Sequence, residues 1–128
     1  MIETPLSQTV LGRAVQNESG TGEWEHMIRK LSFSESHGIL QSGERVVLLD
    51  VREETEYITG HVTGAELLPV DEITAETAAE LIPTYDTPVL VYCRSGMRSA
   101  RAARLLEKLG YRDIRNMGGL AGWPYGLE

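Results

Sequence analysis

The sequence predicts an α/β domain with a mainly parallel central sheet and helices on both sides. Two apolar runs, residues 46–51 and 88–92, are rich in β-branched side chains. Such runs are typical of strands that are buried on both faces. The segments between and after them have apolar residues at helical spacing. Strands that alternate with helices along the chain predict parallel pairing, with helices covering the sheet.

The first half of the predicted domain begins with a short edge strand, indicated by Ile28 and Leu31. Ser34 is expected to cap a helix that runs to about Gln41, and Gly43 is expected to end it. The strand at residues 46–51 follows.

A short helix is predicted at residues 53–57, after that strand. Carboxylates cluster at its start, where the helix dipole favours negative charge. We interpret Glu53, Glu54 and Glu56 as a solvated helix start rather than as acid–base catalysts.

The second half continues the same alternation. A strand is predicted at residues 65–68, and a helix at 73–82 with Pro83 as its end. Its inward residues are expected to be Ala78, Ala79, Leu81 and Ile82. The strand at 88–92 runs into Cys93, and a helix is predicted at 98–109. Its inward face is expected to comprise Ala102, Leu105, Leu106 and Leu109.

The end of the domain is predicted as a last strand at residues 113–117. A turn at Gly118-Gly119 and a closing segment around Trp123 are expected to follow. We interpret Trp24 and Trp123 as packing residues.

The 128 residues fit one domain of ordinary size. We divide the chain into an N-terminal extension or linker at 1–27 and a domain at 28–128. Residues 17–22 are polar and Gly-rich, as linkers are, and apolar residues at positions 10–15 indicate one short amphipathic helix before them. With 41% hydrophobic and 24% charged residues, wholesale disorder is excluded.

Composition also argues against several classes of partner, namely membranes, nucleic acids and metal ions. No apolar run approaches the ~20 residues of a membrane helix. The net charge of −7 argues against nucleic-acid binding. One cysteine excludes an internal disulfide and a multi-cysteine zinc site, and the three histidines lack metal-ligand spacing. A lone thiol without a secretion signal predicts a cytoplasmic location.

Positive charge is concentrated near the cysteine. Residues 1–92 carry a net charge of −11, whereas residues 93–128 carry +4. Four arginines lie within eleven residues of Cys93, namely Arg94, Arg98, Arg101 and Arg104. This asymmetry in an acidic protein indicates a site for a small anion.

Cys93 is the candidate nucleophile. It lies where a buried strand passes through a loop into a helix, the edge at which α/β sheets bind ligands. Backbone N–H groups at a helix start converge on anions, and Gly96 permits unusual backbone angles there. Ser95 and Ser99 add hydroxyl donors, and Ser99 is expected to cap the helix. Such surroundings lower a cysteine pKa and favour the nucleophilic thiolate.

Loop length separates the two chemistries that use a thiolate in such a cradle. A cysteine-phosphatase loop resembles Cys-x5-Arg, but the sixth position after Cys93 is Ser99. Arg98 comes one residue earlier, and the smaller loop fits a sulfur atom better than a phosphate ester. Phosphatase or arsenate reductase chemistry is therefore the more distant alternative.

The segment Cys-Arg-Ser-Gly-Met-Arg-Ser resembles the active loop of single-domain rhodanese-like sulfurtransferases. Further matching motifs cover about residues 30–125, at 31–35, 48–53, 56–65, 68–70 and 116–123. Thr63 departs from the family, which usually has proline there.

This resemblance implies a rhodanese-like fold and a persulfide mechanism. Cys93 takes the outer sulfur of a small anionic donor such as thiosulfate and passes it to a thiol acceptor, either a small molecule or a protein. No metal or organic cofactor is required. The loop residues implied to bind the substrate are Arg94, Ser95, Gly96, Met97, Arg98 and Ser99. The alternative is a rhodanese-type binding or regulatory module with little turnover.

Three other polar residues fall at motif positions. Asp50 and Arg52 follow a strand and are expected to pair structurally, although they could face the site. His61 is expected to hold a turn by a hydrogen bond rather than to act as a base.

Overall fold

The computed structural model describes residues 28–128. Their core is a five-stranded sheet in which every neighbouring pair is parallel, in the order β1-β5-β4-β2-β3. The strands are β1 (Ile28–Lys30), β2 (Val47–Asp50), β3 (Glu66–Leu67), β4 (Val89–Cys93) and β5 (Ile114–Gly119). The predicted α/β class with a parallel sheet is confirmed.

In the described part of the chain, four α-helices cover the sheet. They are α1 (Phe33–Gln41), α2 (Glu54–Ile58), α3 (Ala75–Leu81) and α4 (Met97–Leu109). The core between the sheet and α3 and α4 includes Ala78, Ala102 and Leu106. The opposite core is packed by Leu40 of α1 and Tyr57 of α2. Helices therefore lie on both faces, as predicted.

Strand β4 lies at the centre of the sheet, and all five of its residues are buried. Val89, Val91 and Cys93 belong to the core under α3 and α4, and Leu90 and Tyr92 belong to the opposite core. This alternation follows from the two-residue period of a strand. It points the Cys93 side chain toward the face on which α4 begins.

The start of α1 differs from the prediction. Ser32, not Ser34, is the N-cap, because its Oγ accepts a hydrogen bond from the Glu35 amide at 3.0 Å. The Glu35 carboxylate accepts one from the Ser32 amide at 2.8 Å, which completes a capping box. Glu35 lies three residues after Ser32, and this spacing decides which serine caps the helix.

Two further expectations need correction. Ala79, predicted to face inward, is exposed, because it lies about 100° around α3 from the buried Ala78. The helix begins only at Ala75, after a short 3-10 turn at Val70–Glu72. Gly118 and Gly119, predicted as a turn, are the last residues of β5. The ladder between β4 and β5 shifts at this point, because Val91 pairs with Asn116 and Tyr92 with Gly118. Met117 is thus an extra residue, as in a β-bulge.

Asp50 and Arg52 form a buried pair, as expected. Arg52 Nη2 lies 2.7 Å from Asp50 Oδ2 and donates another hydrogen bond to the Gly60 carbonyl at 2.7 Å. The Tyr92 hydroxyl donates to Asp50 Oδ2 at 2.6 Å and accepts from the Val62 amide at 3.1 Å. The network ties β2 and β4 to the segment that leads into β3.

The closing segment packs on α1. The Trp123 ring meets the edge of Phe33 at a centroid distance of 5.3 Å, as expected of a packing residue. None of the helices within residues 28–128 has the length and hydropathy of a membrane span. Residues 28–128 also contain no group of three potential metal ligands. The predicted extension at 1–27, its short helix and Trp24 lie outside the described residues.

The buried pair gives a stability prediction. Asp50→Asn leaves the Arg52 charge buried without its counter-charge, so we expect the free energy of unfolding to fall by about 3 kcal/mol or more. Asp71→Asn, which breaks the exposed pair with Arg101, should cost less than about 1 kcal/mol. Urea unfolding of both variants measures the difference. Losses of equal size would contradict a structural role for the Asp50 pair.

Candidate active site

Cys93 is the last residue of β4, and none of it is exposed to solvent. Arg94, Ser95 and Gly96 connect it to α4, which begins at Met97. The connection between Cys93 and the helix predicted at 98–109 is therefore a three-residue loop, and the helix begins one residue earlier than predicted. This tight reversal places the helix N-terminus over the sulfur of the preceding strand.

The Cys93 sulfur lies among hydrogen-bond donors. The Gly96 amide donates to Sγ at 2.9 Å. Burial opposes the charged thiolate, but hydrogen bonds from the Ser99 amide and hydroxyl and from the Gly96 and Ser95 amides outweigh it. The net result is a lowered pKa of Cys93. The site thus favours a thiolate, the reactive form of cysteine.

Ser99 does not cap α4. It lies buried in the first turn of the helix, and its hydroxyl is also within reach of the Gly96 carbonyl, at 3.1 Å. A hydroxyl has one proton, so it serves either the carbonyl or the thiolate. Gly96 holds the N-cap position, with a φ of 103°. That left-handed conformation is costly for other residues, which explains the glycine.

The end of β5 supports the loop from below. A Cβ atom at Gly119 would lie 2.7 Å from Ser95 Cα and would also meet the Arg94 carbonyl oxygen. The Leu120 amide lies 3.0 Å from the carbonyl oxygens of both Cys93 and Arg94. The loop therefore packs directly against backbone atoms at the end of β5. This requirement for a glycine was not predicted from the sequence. The only signal was the pair of adjacent glycines, which equally indicates a turn.

Arg98 is held by an acidic residue of α2. Its Nη1 and Nη2 lie 2.7 and 3.0 Å from Glu56 Oε1 and Oε2, respectively. Hydrogen bonding to Arg98 is the main reason why the pKa of Glu56 falls to about 2. Glu56 Oε1 also accepts a hydrogen bond from the Glu53 amide at 2.9 Å. The same carboxylate therefore caps α2 and holds Arg98 of the active loop. The prediction of a solvated helix start is wrong for Glu56.

The other arginines differ in their surroundings. Arg94 is exposed beside the loop, and within residues 28–128 it has no ion-pair partner. Arg101 pairs with Asp71 at 2.7 Å, and both side chains are more than half exposed. Arg104 is exposed two turns into α4. Among residues 28–128, the loop thus combines an arginine without an ion-pair partner, Arg94, with one that is paired, Arg98.

His61 holds a turn, as expected. Its Nδ1 lies 2.9 Å from the Tyr57 carbonyl oxygen, and its ring stacks on that of Tyr57 with centroids 3.8 Å apart. Its backbone exchanges two hydrogen bonds with Glu128, at 3.0 and 2.8 Å. Asp50 and Arg52 are likewise engaged with each other. Asp50, Arg52 and His61 are thus all engaged in structural contacts.

Arranged in this way, the site can stabilise negative charge at and just beyond the Cys93 sulfur. The donors are backbone groups fixed by the helix, so they need no rearrangement when charge develops. Such a site suits a nucleophilic sulfur that attacks an anion and holds a small charged product.

Comparisons with known proteins agree with this geometry. The family model described as "Rhodanese-like domain" matches residues 34–124. A Mycobacterium tuberculosis protein named "Probable adenylyltransferase/sulfurtransferase MoeZ" is 36% identical over 90 residues, which are 70% of this chain and 23% of that protein. The chain thus spans less than a quarter of that relative.

Smaller relatives match over more of their length. Thiosulfate sulfurtransferase PspE of Escherichia coli is 38% identical over 72 residues, which are 56% of this chain and 68% of that protein. The structure of the human single-domain sulfurtransferase TSTD1 superposes with a TM-score of 0.60 at 30% identity, covering 70% of this chain and 88% of that one. Fold, loop and family match together lead to one assignment: the chain belongs to the rhodanese-like domain family.

Proposed function

We propose that this protein is a sulfurtransferase that carries a sulfane sulfur as a persulfide on Cys93. The observation that carries the proposal is the buried Cys93 sulfur, which accepts the Gly96 amide at 2.9 Å within the first turn of α4. Relatives named thiosulfate sulfurtransferases support the reaction class.

In the first step, the Cys93 thiolate attacks the outer sulfur of thiosulfate. The S–S bond of thiosulfate breaks, sulfite leaves with the bonding electron pair, and a new S–S bond forms on Cys93. The charge of the thiolate moves to the terminal persulfide sulfur, one bond further into the loop. The Gly96 amide, which donates to the Cys93 sulfur, and the neighbouring amides of Ser95 and Ser99, which lower the pKa of Cys93, would stabilise the transferred charge.

In the second step, a thiophilic acceptor attacks the terminal sulfur and the Cys93 thiolate leaves. Cyanide yields thiocyanate in an assay, and a thiol yields its own persulfide. No electrons are gained or lost overall, because each step exchanges one bond to sulfur for another. The enzyme returns to the thiolate that its hydrogen bonds favour.

The proposed compartment is the cytoplasm. A lone reactive thiol that must return to its reduced state suits a reducing environment. Fractionation of the native host, with detection of the protein in each fraction, tests this location.

The first functional prediction concerns the nucleophile. After incubation with thiosulfate, the intact mass should rise by one sulfur atom, whereas Cys93→Ser should gain nothing and lose turnover to thiocyanate. The circular dichroism spectrum of Cys93→Ser should match that of the wild type, because the loop is held by backbone contacts. Cys93 is the only thiol of the chain, so activity in Cys93→Ser would falsify the mechanism. A wild-type protein that gains no sulfur would favour a binding or regulatory module.

The second prediction concerns Arg94. Because it is exposed beside the loop and has no ion-pair partner within residues 28–128, we expect it to attract the donor. Arg94→Ala should lower kcat/KM for thiosulfate about tenfold, or ~1.4 kcal/mol. Arg104→Ala is the matched control and should change it little, because Arg104 lies about 10 Å further along α4. Equal losses in the two variants would mean that the arginines only steer anions at long range.

The third prediction concerns Glu56. Glu56→Gln should lower kcat/KM about tenfold, because Arg98 and the loop lose their anchor. Glu54→Gln removes an exposed charge from the same helix and should have little effect.

The same pair gives a pH dependence. The folded-state pKa of Glu56 lies at about 2, below its ordinary value of 4.5, so the carboxylate stabilises the fold above that ordinary value. This contribution is lost as the pH falls through about 2. The difference in unfolding free energy between wild type and Glu56→Gln should therefore shrink as the pH falls from about 5 toward 2. A difference that stays constant over this range would refute the ion pair.

A further inference from the structure

The exposed side of α4 carries a row of side chains that starts at the active loop. Its members, spaced by three or four residues and all exposed, are Met97, Arg101, Arg104 and Lys108. With 3.6 residues per turn they fall within about 60° of the helix circumference. We call these four residues the α4 stripe. It extends about 16 Å along the helix axis, which is far longer than a small anion.

The charge of the α4 stripe contrasts with that of the chain, which is −7 overall and −11 over residues 1–92. Arg101 pairs with Asp71, but that pair is exposed and therefore weak. Within residues 28–128, Arg104 and Lys108 have no salt-bridge partner. Glu107 lies on the flank of the stripe and is partly buried. An acidic partner is therefore attracted to this helix face, whereas the net charge of the chain repels it elsewhere.

Met97 gives the stripe an apolar end beside the site. It is 80% exposed and directly follows Gly96, the residue whose amide binds the Cys93 sulfur. A single exposed apolar side chain is ordinary on a protein surface. Here, however, it directly follows the active loop, and its thioether offers a small anion neither a positive charge nor a hydrogen-bond donor. Methionine adapts its shape to the surface that it contacts, as docking sites require.

We propose that the α4 stripe docks an acidic protein whose exposed thiol accepts sulfur from Cys93. This inference rests on the proposed function and names the class of its acceptor. Carboxylates of the partner contact Arg101, Arg104 and Lys108, and an apolar side chain next to its thiol contacts Met97. The partner thiolate forms a bond to the terminal persulfide sulfur, the S–S bond to Cys93 breaks, and the Cys93 thiolate leaves. The terminal sulfur, which is anionic while the loop holds it, takes the proton that the partner thiol gives up on becoming a thiolate, so atoms, charge and electrons balance.

The experiment uses two forms of one peptide with a single cysteine beside a leucine, one rich in Glu and one rich in Lys. The full chain is first loaded with sulfur from thiosulfate, and the rate of transfer to each peptide is followed by mass spectrometry. The stripe variant is Arg104→Glu/Lys108→Glu. The control is Arg45→Glu/Arg112→Glu, which makes the same change in net charge at exposed positions near the amino ends of β2 and β5.

We expect transfer to the Glu-rich peptide to be about tenfold slower in the stripe variant than in the control. Transfer to the Lys-rich peptide should be faster in the stripe variant. Both differences should shrink at high salt, because screening weakens contacts between exposed charges. Turnover of thiosulfate and cyanide should be the same in the two double variants.

A binding measurement tests docking separately from sulfur transfer. Fluorescent peptides with serine in place of cysteine are titrated with Cys93→Ser protein, and the anisotropy gives Kd. The Glu-rich peptide should bind more tightly than the Lys-rich one, and the stripe substitutions should weaken it more than the control pair. Met97→Ala should weaken the leucine-containing peptide more than a version with alanine in its place.

The outcomes separate the two proposals. If the chain takes no sulfur from thiosulfate, the proposed function fails, and the serine peptides still decide whether the α4 stripe docks an acidic partner. If sulfur is taken up but both peptides bind and react alike, the docking proposal is overturned and the sulfurtransferase stands. Equal effects of the stripe and control substitutions would also overturn it.

Discussion

The site depends on hydrogen bonds from the backbone to a buried sulfur. A thiolate that has lost its water is stable only where fixed dipoles replace that water. In this chain the dipoles are the amides of Ser99, Gly96 and Ser95 together with the Ser99 hydroxyl. The direction of a main-chain N–H group is set by the backbone conformation and not by the identity of the side chain. The fold around Cys93 can therefore be understood as the means of holding three loop residues and one helical turn in one conformation.

That conformation is held from three directions. The end of β5 supports the loop through the Leu120 amide, and the Glu56 carboxylate of α2 holds Arg98. The third support is α4 itself, whose first turn is fixed by the buried Ser99 and by the packing of its inner face on the sheet. Each support comes from a different stretch of the chain, so the loop is positioned by the tertiary structure rather than by its own sequence.

This explains which features the sequence could predict. Buried strands and the inner face of α4 follow from apolar periodicity, and the strand–loop–helix context makes Cys93 the candidate nucleophile. The Glu56–Arg98 pair joins residues 42 positions apart, and no local pattern reveals such a pairing. Gly118 and Gly119 were predicted as a turn because adjacent glycines usually form one. In the structure both glycines belong to β5, and the close approach of the active loop explains why Gly119 has no side chain. Ser99 was expected to cap α4 because serine favours that position, but the loop geometry reserves it for Gly96.

Gly119 has a consequence for how mutational scans of this protein are interpreted. Replacement by alanine adds one methyl group at a point where Ser95 Cα would lie only 2.7 Å away, so the active loop must shift. A scan would then rank Gly119 beside the nucleophile, although it offers a substrate no functional group. In aligned relatives, a larger residue at this position would mark a different loop path rather than a changed reaction. Loss of activity on substitution of Gly119 would therefore reflect the close packing of the β5 backbone against the loop backbone, not the loss of a catalytic group.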